Sequence, residues 1–282
     1  MTNDSTAVII LNYKTWQDTL KEIEVCHNVL GVEYGDIIVV DNASPNNSKK
    51  ELESAAESKG FVFLYSSENR GYAAGNNIGL KYAYKKGYTY GLIINNDIEI
   101  DNPNLLTGLK EVFKKDEKIA AVSPDIYSPS GYMFNRTAKK PTFFDMTLGM
   151  IAYKRSGRNI EKLDGYAYIY RPFGSCVIVD LSKMAKIDYM DEGTFLYYEE
   201  PILAERLLQK GFKCACAYTL KVIHNHSTTV KKSIQKREII AIKNKSFRYC
   251  LEKYRNFGKL KVAICVMFNT IKLMYLDARE AD

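Results

Sequence analysis

The hydrophobic and polar positions of the first 125 residues alternate between two patterns. Short apolar runs rich in β-branched residues predict strands at 7–11, 36–40, 61–65, 91–95 and 119–123. Stretches with helical spacing of apolar residues lie between them and predict helices near 15–30, 48–59, 72–86 and 103–115. Such an alternation predicts an α/β fold with a Rossmann-like, mostly parallel sheet that is flanked by helices and joined by right-handed crossovers.

Beyond residue 125 this alternation stops. Residues 126–172 are rich in Tyr, Lys, Gly and Ser and indicate loops with an edge β-element that cover a site. A strand at 176–180 follows, and then a helix at 199–210 that begins with two glutamates and Pro201 and is followed by a glycine. Residues 236–256 and 259–276 are predicted to form two amphipathic helices, a C-terminal helical extension.

Three of the predicted strands end in polar residues. The residues at these carboxyl ends are Asn12 and Tyr13 after the first strand, Asp41 after the second, and Asn95, Asn96 and Asp97 after the fourth. In an open α/β sheet, ligands bind at this edge. Asp41 also begins the sequence Asp-Asn-Ala-Ser-Pro, which is typical of a turn and a helix N-cap, so a purely local role stays open for it.

The glycines indicate which nucleotide sites are absent. The first strand runs into Asn-Tyr-Lys-Thr-Trp, which lacks the glycine fingerprint of a dinucleotide-binding domain, and no P-loop sequence occurs. Gly71, Gly75 and Gly79 instead follow the third strand at a spacing of four, so they would line one face of a helix. That face can pack tightly on the sheet or admit a ligand. The polar neighbours that favour a diphosphate at this helix N-terminus are Asn69, Arg70 and Asn77.

The composition locates the charge. The chain has 282 residues and is 46% hydrophobic, which is enough for a full core. Its net charge of +7 belongs to the C-terminus, because residues 231–282 contain 13 Lys and Arg against 5 Asp and Glu. This distribution points to an anionic surface or ligand near the tail and not to general nucleic-acid binding.

The cysteines and the N-terminus predict a cytoplasmic protein. The six cysteines are scattered, and the closest pair, Cys214 and Cys216, has one intervening residue where zinc ribbons and redox motifs have two. We therefore expect reduced thiols. The first residues lack the basic cluster of a secretory signal, and no apolar stretch reaches the roughly 18 residues that a membrane span needs.

Five segments of the chain, in order, resemble the motifs of family 2 glycosyltransferases of the GT-A fold, especially the branch with many bacterial rhamnosyltransferases. They are VIILNYK, IIVVDNAS, ENRGYAAGNNIGL, LIINND and DEGTFLYYEEPILAERLLQKGF. The resemblance extends over about residues 6–228. It implies a glycosyltransferase domain at 1–230, with a nucleotide-sugar half at about 1–125 and an acceptor half at about 126–230. Residues 231–282 are then the basic amphipathic extension.

In such enzymes a nucleotide-diphosphate sugar lies over the carboxyl edge of the sheet. The resemblance implies that Asp41 bonds the pyrimidine, and that Asp97 binds a divalent cation, Mn²⁺ or Mg²⁺, which bridges the diphosphate oxygens. His224, rather than His226, would reach the cation or the diphosphate. Asn95 stands where the family's Asp-x-Asp motif has its first acid. The residues implied for the nucleotide sugar are Leu11, Asn12, Tyr13, Asp41, Asn69, Arg70, Gly71, Asn77, Asn95 and Asn96.

A pair of carboxylates matches the family's Glu-Asp motif, whose second acid is the usual general base. We expect Glu200 to be the base, with Glu199 as the alternative, and we expect the helix dipole to keep both ionised. Asp191 and Glu192 match a turn that contacts the acceptor or supports the base. Arg206 is expected to pair with an acid one or two turns back along its helix.

The resemblance implies transfer of one sugar, with inversion, from dTDP-rhamnose or a UDP-sugar to a saccharide hydroxyl. Bacterial capsule, O-antigen or other surface polysaccharide would be the product. The alternative is a catalytically silent sugar-nucleotide or glycan-binding subunit, against which Asp97 and Glu200 argue. A lipid-linked acceptor would bring the protein to the inner face of the cell membrane. There the basic tail can bind anionic lipid, or it can serve only as a cap on the catalytic domain.

Overall fold

The computed structural model describes residues 4–134, 136–150, 159–225 and 236–279. The first half of its sheet consists of four parallel strands in the order β3-β2-β1-β4. These are β1 (Thr6–Asn12), β2 (Ile37–Asp41), β3 (Val62–Tyr65) and β4 (Tyr90–Ile94). They are joined by α1 (Trp16–Asn28), a 3₁₀ turn (Tyr34–Asp36), α2 (Ser48–Lys59) and α3 (Tyr72–Lys85). This half confirms the α/β fold that the hydrophobic pattern predicts.

The second half of the sheet is mixed. Its strands are β5 (Ile98–Glu99), β6 (Ile119–Tyr127), β7 (Ala167–Ile169), β8 (Cys176–Asp180) and β9 (Lys213–His224). The order continues from β4 as β8-β6-β9-β5, with β7 also on β9. β8 is antiparallel to both of its neighbours, whereas β9 is parallel to β6 and antiparallel to β5 and β7. The helices of this half are α4 (Leu105–Phe113), α5 (Leu181–Lys186) and α6 (Glu199–Gln209).

The central strands are apolar throughout because helices cover both of their faces. Alternate residues of β1 divide between two core clusters, with Ile10 in one and Ile9 in the other. Gly75 and Gly79 of α3 allow the closest approach, because a Cβ at either position would lie 2.5–2.6 Å from the side chains of Leu11 and Ile9. Tight packing of a helix on the sheet therefore accounts for these two glycines.

The C-terminal extension forms two helices, α7 (Lys236–Tyr254) and α8 (Lys259–Arg279). They pack on each other around Phe247, Leu251, Val262 and Cys265. Ile202 of α6 forms a further cluster with Cys250 and Tyr254 of α7, so the extension is joined to the α/β unit. No helix in the described part of the chain is long and apolar enough to cross a membrane. All six cysteines are buried and free.

Candidate active site

The register between β5 and β9 brings Asp97 and His224 together. Ile98 lies opposite His224 in this antiparallel pair, and the Asn225 N–H donates to the Asp97 carbonyl at 3.0 Å. As a result His224 Nε2 lies 3.1 Å from Asp97 Oδ1, and both side chains are largely buried. These two predicted cation ligands are therefore adjacent, whereas His226 lies outside the described residues.

The chemistry of this pair fits a divalent cation. A carboxylate oxygen and an imidazole nitrogen suit a cation that takes its remaining ligands from phosphate oxygens and water. Within the described ranges, no group of three or more His, Cys, Asp and Glu side chains is placed to hold a metal without such help. The pKa of buried Glu22 is raised by burial and by the charge of Asp97, which favours the neutral form of this acid of α1.

The two asparagines before Asp97 fix the loop that presents it. Asn95 Oδ1 accepts a hydrogen bond from the Tyr72 hydroxyl at 3.2 Å. Asn96 Nδ2 donates to the hydroxyls of Thr15 and Thr19 at 2.9 and 2.8 Å. The end of β4 is thus tied to α3 on one side and to the start of α1 on the other.

Asp41 lies at the predicted edge but is fully buried. Its Oδ1 accepts from Asn12 Nδ2 and from the Ser44 hydroxyl, both at 2.6 Å, and its Oδ2 accepts from the Ser44 N–H at 3.0 Å. Asn12 in turn accepts from Thr19 at 2.9 Å. These contacts match the local turn that the sequence permits. The contact of Asp41 with a pyrimidine remains a prediction, as do those of Leu11 and Tyr13, which are partly exposed beside it.

The loop after β3 is held by hydrogen bonds and by a close backbone contact within the protein. Asn69 Oδ1 accepts from the Gly71 N–H and from Asn42, both at 3.0 Å. Gly71 has φ +99°, and any Cβ there would collide with the backbone of Phe195. Glycine is therefore required where this loop touches the segment that leads to the two glutamates.

Asn77 and Arg70 contact the same segment. Asn77 exchanges hydrogen bonds of 2.8 and 3.0 Å with the backbone of Met190 and donates to Glu192 at 2.9 Å. Arg70 Nη2 lies 2.9 Å from the other oxygen of Glu192. These predicted diphosphate donors therefore brace a loop, and Glu192 is their shared partner.

The adjacent glutamates occupy different environments. Glu199 is buried, and burial together with the charge of Glu200 raises its pKa to about 8. The expectation that both carboxylates stay ionised is therefore wrong for Glu199, because the helix dipole does not compensate for desolvation. Glu200 is partly exposed; its Oε1 accepts from the Gly174 N–H at 3.3 Å, and its Oε2 lies 3.9 Å from Arg171 Nη1. Of the two glutamates, only Glu200 combines solvent access with a neighbouring positively charged side chain, that of Arg171.

Tyr72 links the two ends of the site, which the sequence analysis missed. Its hydroxyl lies 2.9 Å from the Gly174 carbonyl as well as 3.2 Å from Asn95, and Gly174 donates to Glu200. Burial and the nearby charge of Glu200 raise the pKa of Tyr72, so the hydroxyl keeps its proton. In the sequence, Tyr72 begins a predicted helix that follows the third strand, and this position could have identified it as a residue of the sheet edge.

Asp191 is enclosed by the C-terminal extension, and this burial favours the second of its two predicted roles, support of the base, over contact with an acceptor. It accepts from Tyr249 and Lys253 at 2.9 Å, from Arg206 at 3.3 Å, and from the Tyr254 hydroxyl. Burial opposes its charge, but these hydrogen bonds prevail and lower its pKa to about 2. Arg206 therefore pairs with Asp191 and not with an acid of its own helix.

The fold is shared with solved glycosyltransferases of the GT-A class. One is GalNAc-T7 with UDP, GalNAc and Mn²⁺, at a TM-score of 0.63 and 14% identity over 89% of this chain and 49% of that one. Another is the mannosyltransferase PcManGT of Pyrobaculum calidifontis in complex with GDP-Man and Mn²⁺, at a TM-score of 0.57 and 13% identity over 98% and 75%. This α/β protein thus has the GT-A fold.

Sequence comparison identifies the family. The model for glycosyl transferase family 2 matches residues 7–168, so the chain belongs to this family and is a glycosyltransferase. It is 25% identical, over 79% of its length and 67% of the relative's, to the low-salt glycan biosynthesis hexosyltransferase Agl10 of Haloferax volcanii. It is 32% identical over 114 residues to the poly-β-1,6-N-acetyl-D-glucosamine synthase of Staphylococcus aureus, of which it spans 25%. The predicted family is confirmed.

Proposed function

We propose that this glycosyltransferase moves one sugar, rhamnose or another hexose, from a dTDP- or UDP-sugar to a saccharide hydroxyl with inversion, in surface polysaccharide synthesis. The observation that carries the proposal is the connection along one sheet edge. Asp97 follows β4 and pairs with His224 at the end of β9, and Tyr72 and Gly174 connect the end of β4 to Glu200. These contacts support a proposed diphosphate site and a candidate base within one hydrogen-bonded frame.

At the donor end, Asp97 and His224 would hold Mn²⁺ or Mg²⁺ against the diphosphate oxygens. When bound, the cation neutralises the negative charge that grows on the leaving group. Of the predicted base and ribose wall, Leu11 and Tyr13 would face the ligand, and the buried Asn12 between them would hold Asp41 in place. Asp41, which Asn12 and Ser44 hold at the same sheet edge, would bond the pyrimidine.

At the acceptor end, Glu200 takes the proton of the acceptor hydroxyl as the oxygen attacks the anomeric carbon. The bond from that carbon to the diphosphate breaks in the same step, and no covalent enzyme intermediate forms. The Gly174 N–H and Arg171 orient the carboxylate, and burial raises the pKa of Glu199 beside it.

A donor panel tests the proposal. UDP- and dTDP-sugars, including dTDP-rhamnose, are scored by thermal shift with Mn²⁺ and with EDTA. We expect one donor to raise the melting temperature in Mn²⁺, and Asp97→Ala to lose most of that increase while Asp101→Ala, at an exposed acid nearby, retains it. If no donor stabilises the protein, the proposal fails. Stable binding of a donor without release of nucleoside diphosphate, across saccharide acceptors, favours the silent subunit.

We also propose that α8 attaches the protein to an anionic membrane, where a lipid-linked acceptor would lie. Leu260, Met267, Ile271 and Met274 are 75%, 53%, 58% and 61% exposed, and their spacing places them on one face of the helix. The opposite face, with Val262 and Cys265, is buried. Lysines flank the exposed apolar face, as in interfacial helices; they are Lys259, Lys261 and Lys272.

Sedimentation with vesicles tests this attachment. We expect binding to phosphatidylcholine vesicles that contain phosphatidylglycerol, weaker binding without it, and loss of binding in Ile271→Glu. Leu208→Glu, at an exposed apolar residue of α6, is the matched control. If the intact chain ignores anionic vesicles, or if Ile271→Glu dissociates a dimer in their absence, the membrane proposal is wrong.

A further inference from the structure

The segment 191–198, which leads into α6 and its two glutamates, ends in an unusual backbone. Tyr197 and Tyr198 have φ of 71° and 67°, in the left-handed region that side chains other than glycine rarely adopt. Two such residues in succession persist only when the surrounding structure holds them. Tyr198 is the N-cap of α6 and makes no side-chain capping bond. The direction of Glu200 therefore depends on what holds this turn.

Side chains on successive turns of α7 hold the turn at Tyr197 and Tyr198. The Ser246 hydroxyl donates to the Leu196 carbonyl at 2.8 Å. The ring of Phe247 stacks on Tyr198, with centroids 4.8 Å apart and planes 20° from parallel. The ammonium group of Lys243 lies 4.8 Å from the ring centroid of Tyr197.

The second helix of the extension supports the first. The Tyr198 hydroxyl lies 3.5 Å from Asn269 Oδ1 of α8, and Asn269 Nδ2 donates to Asn244 of α7 at 2.9 Å. Ser246 and Phe247 are themselves buried at this junction. At the other end of the segment, Asp191 is bound by α7 side chains one and two turns further along. The segment 191–198 thus contacts α7 at both of its ends.

We propose that Ser246 and Phe247 are positioning residues for the general base. They hold Tyr197 and Tyr198 in the left-handed conformation that places Glu200 beside Gly174 at the sheet edge. The inference rests on the proposed role of Glu200 as the base. A base must lie within hydrogen-bonding distance of the proton it removes, so a small rotation of this turn weakens catalysis while the donor site stays intact.

Kinetics of the full chain test the inference, with the donor that the panel selects. We expect Phe247→Ala to lower kcat about 10- to 100-fold with the donor KM within about 2-fold. Ser246→Ala, which removes one oxygen, should act in the same direction with a smaller effect. Phe247→Tyr keeps the ring and should restore most of the rate. Lys245→Ala, an exposed position on the same turn, should leave the rate unchanged.

Two further measurements separate positioning from general damage. In a Glu200→Gln background, Phe247→Ala should change the residual rate by less than about 2-fold, because the group it positions is gone. An equal loss in both backgrounds overturns the inference. If Glu200→Gln alone turns over normally, the assignment of Glu200 as the base is wrong. This outcome is distinct from failure of the positioning inference.

Hydrogen exchange gives a readout that needs no substrate. Phe247→Ala should speed exchange of the amides of 194–200 and leave β1 to β4 protected. Unchanged exchange in 194–200 contradicts the inference. If Phe247→Ala loses protection throughout the sheet, Ser246→Ala replaces it in both measurements.

Discussion

The proposed site has two parts that are positioned by different means. The donor side lies at the ends of β1, β2 and β4, and the base side consists of the segment 191–198 and Glu200. On the donor side, polar residues follow strand ends directly and bond to one another, as Asn12, Asp41 and Ser44 do. On the base side, the segment 191–198 is irregular and is held by a helix 50 residues further along the chain. The first arrangement follows from sheet register and local turns, and the second depends on how the extension docks. Substitutions in the two regions should therefore affect the rate of transfer, donor binding and stability differently.

The largest effect is expected on the base side. Glu200→Gln removes the proton acceptor but keeps the shape of the side chain, so transfer should fall about 10²- to 10⁴-fold while donor binding is retained. Initial rates and donor thermal shifts, measured on the same preparation, check this. Equal losses of rate and donor affinity would show that the two sides are not separable.

Asp191→Asn tests the anchor of the base side. It leaves Lys253 and Arg206 facing a neutral amide, and we expect a loss of about 2 to 3 kcal/mol in the free energy of unfolding at pH 7, moderated by the exposure of Lys253. The low pKa of Asp191 contributes stability above the unfolded value of 3.8, and that contribution disappears as the pH falls through about 2.

Urea unfolding of Asp191→Asn at pH 7 and at pH 2.5 measures both effects. The difference between variant and wild type should shrink at the lower pH. Asp188→Asn, at an exposed neighbouring acid, should match the wild type at both. A difference that is independent of pH would mean that the carboxylate charge is not what matters.

Glu199→Gln tests whether the two adjacent glutamates of the base side differ in their environments. The folded pKa of about 8 exceeds the unfolded value of 4.5, so the folded chain retains a proton that the unfolded chain releases. Wild-type stability should therefore decline as the pH rises from about 4.5 to 8, by at most about 1.4 kcal/mol per pH unit from this group. The variant lacks that decline and should gain relative to the wild type across the window. Urea unfolding at pH 5, 6.5 and 8 would show parallel profiles if Glu199 were already ionised.

Ser44→Ala tests the donor side, with the smallest effect. It removes the hydroxyl that donates to Asp41 and accepts from the Lys14 N–H, and we expect a loss of about 1 kcal/mol in unfolding free energy. Asp41 keeps its bonds from Asn12 and from the Ser44 N–H, so the fold survives. Ser58→Ala, at an exposed serine, is the control. A change in exchange at 194–200 would contradict the independence of the two sides.

The sequence predicted most of the donor side because its positions depend on local patterns. Apolar runs mark β1 to β4, and the residue after each run lies at the carboxyl edge. Asp97 and His224 were paired only through resemblance, since β9 interrupts its apolar pattern with Tyr218, Lys221 and other polar residues. Its twelve-residue length and its pairing with β5 were not predicted.

The base side was harder to predict because it depends on long-range packing. An amphipathic pattern shows that one face of α7 is buried, but it does not show that Ser246 and Phe247 contact the segment before Glu199. The charge of Glu199 was misjudged for the same reason, because the degree of burial is a property of the folded chain. The sequence left two roles open for Asp191, acceptor contact or support of the base, and only the folded chain shows that α7 side chains surround it.

Gly71 has a wider consequence for the proposed reaction. Here the loop after β3 and the segment that leads into α6 meet as bare backbone, with the Tyr72 N–H donating to the Phe195 carbonyl at 2.9 Å. A methyl group on residue 71 would force these two backbones apart. Under the proposed function, the spacing between the nucleotide-sugar loop and the helix that carries Glu200 would then depend on the missing side chain of this one residue.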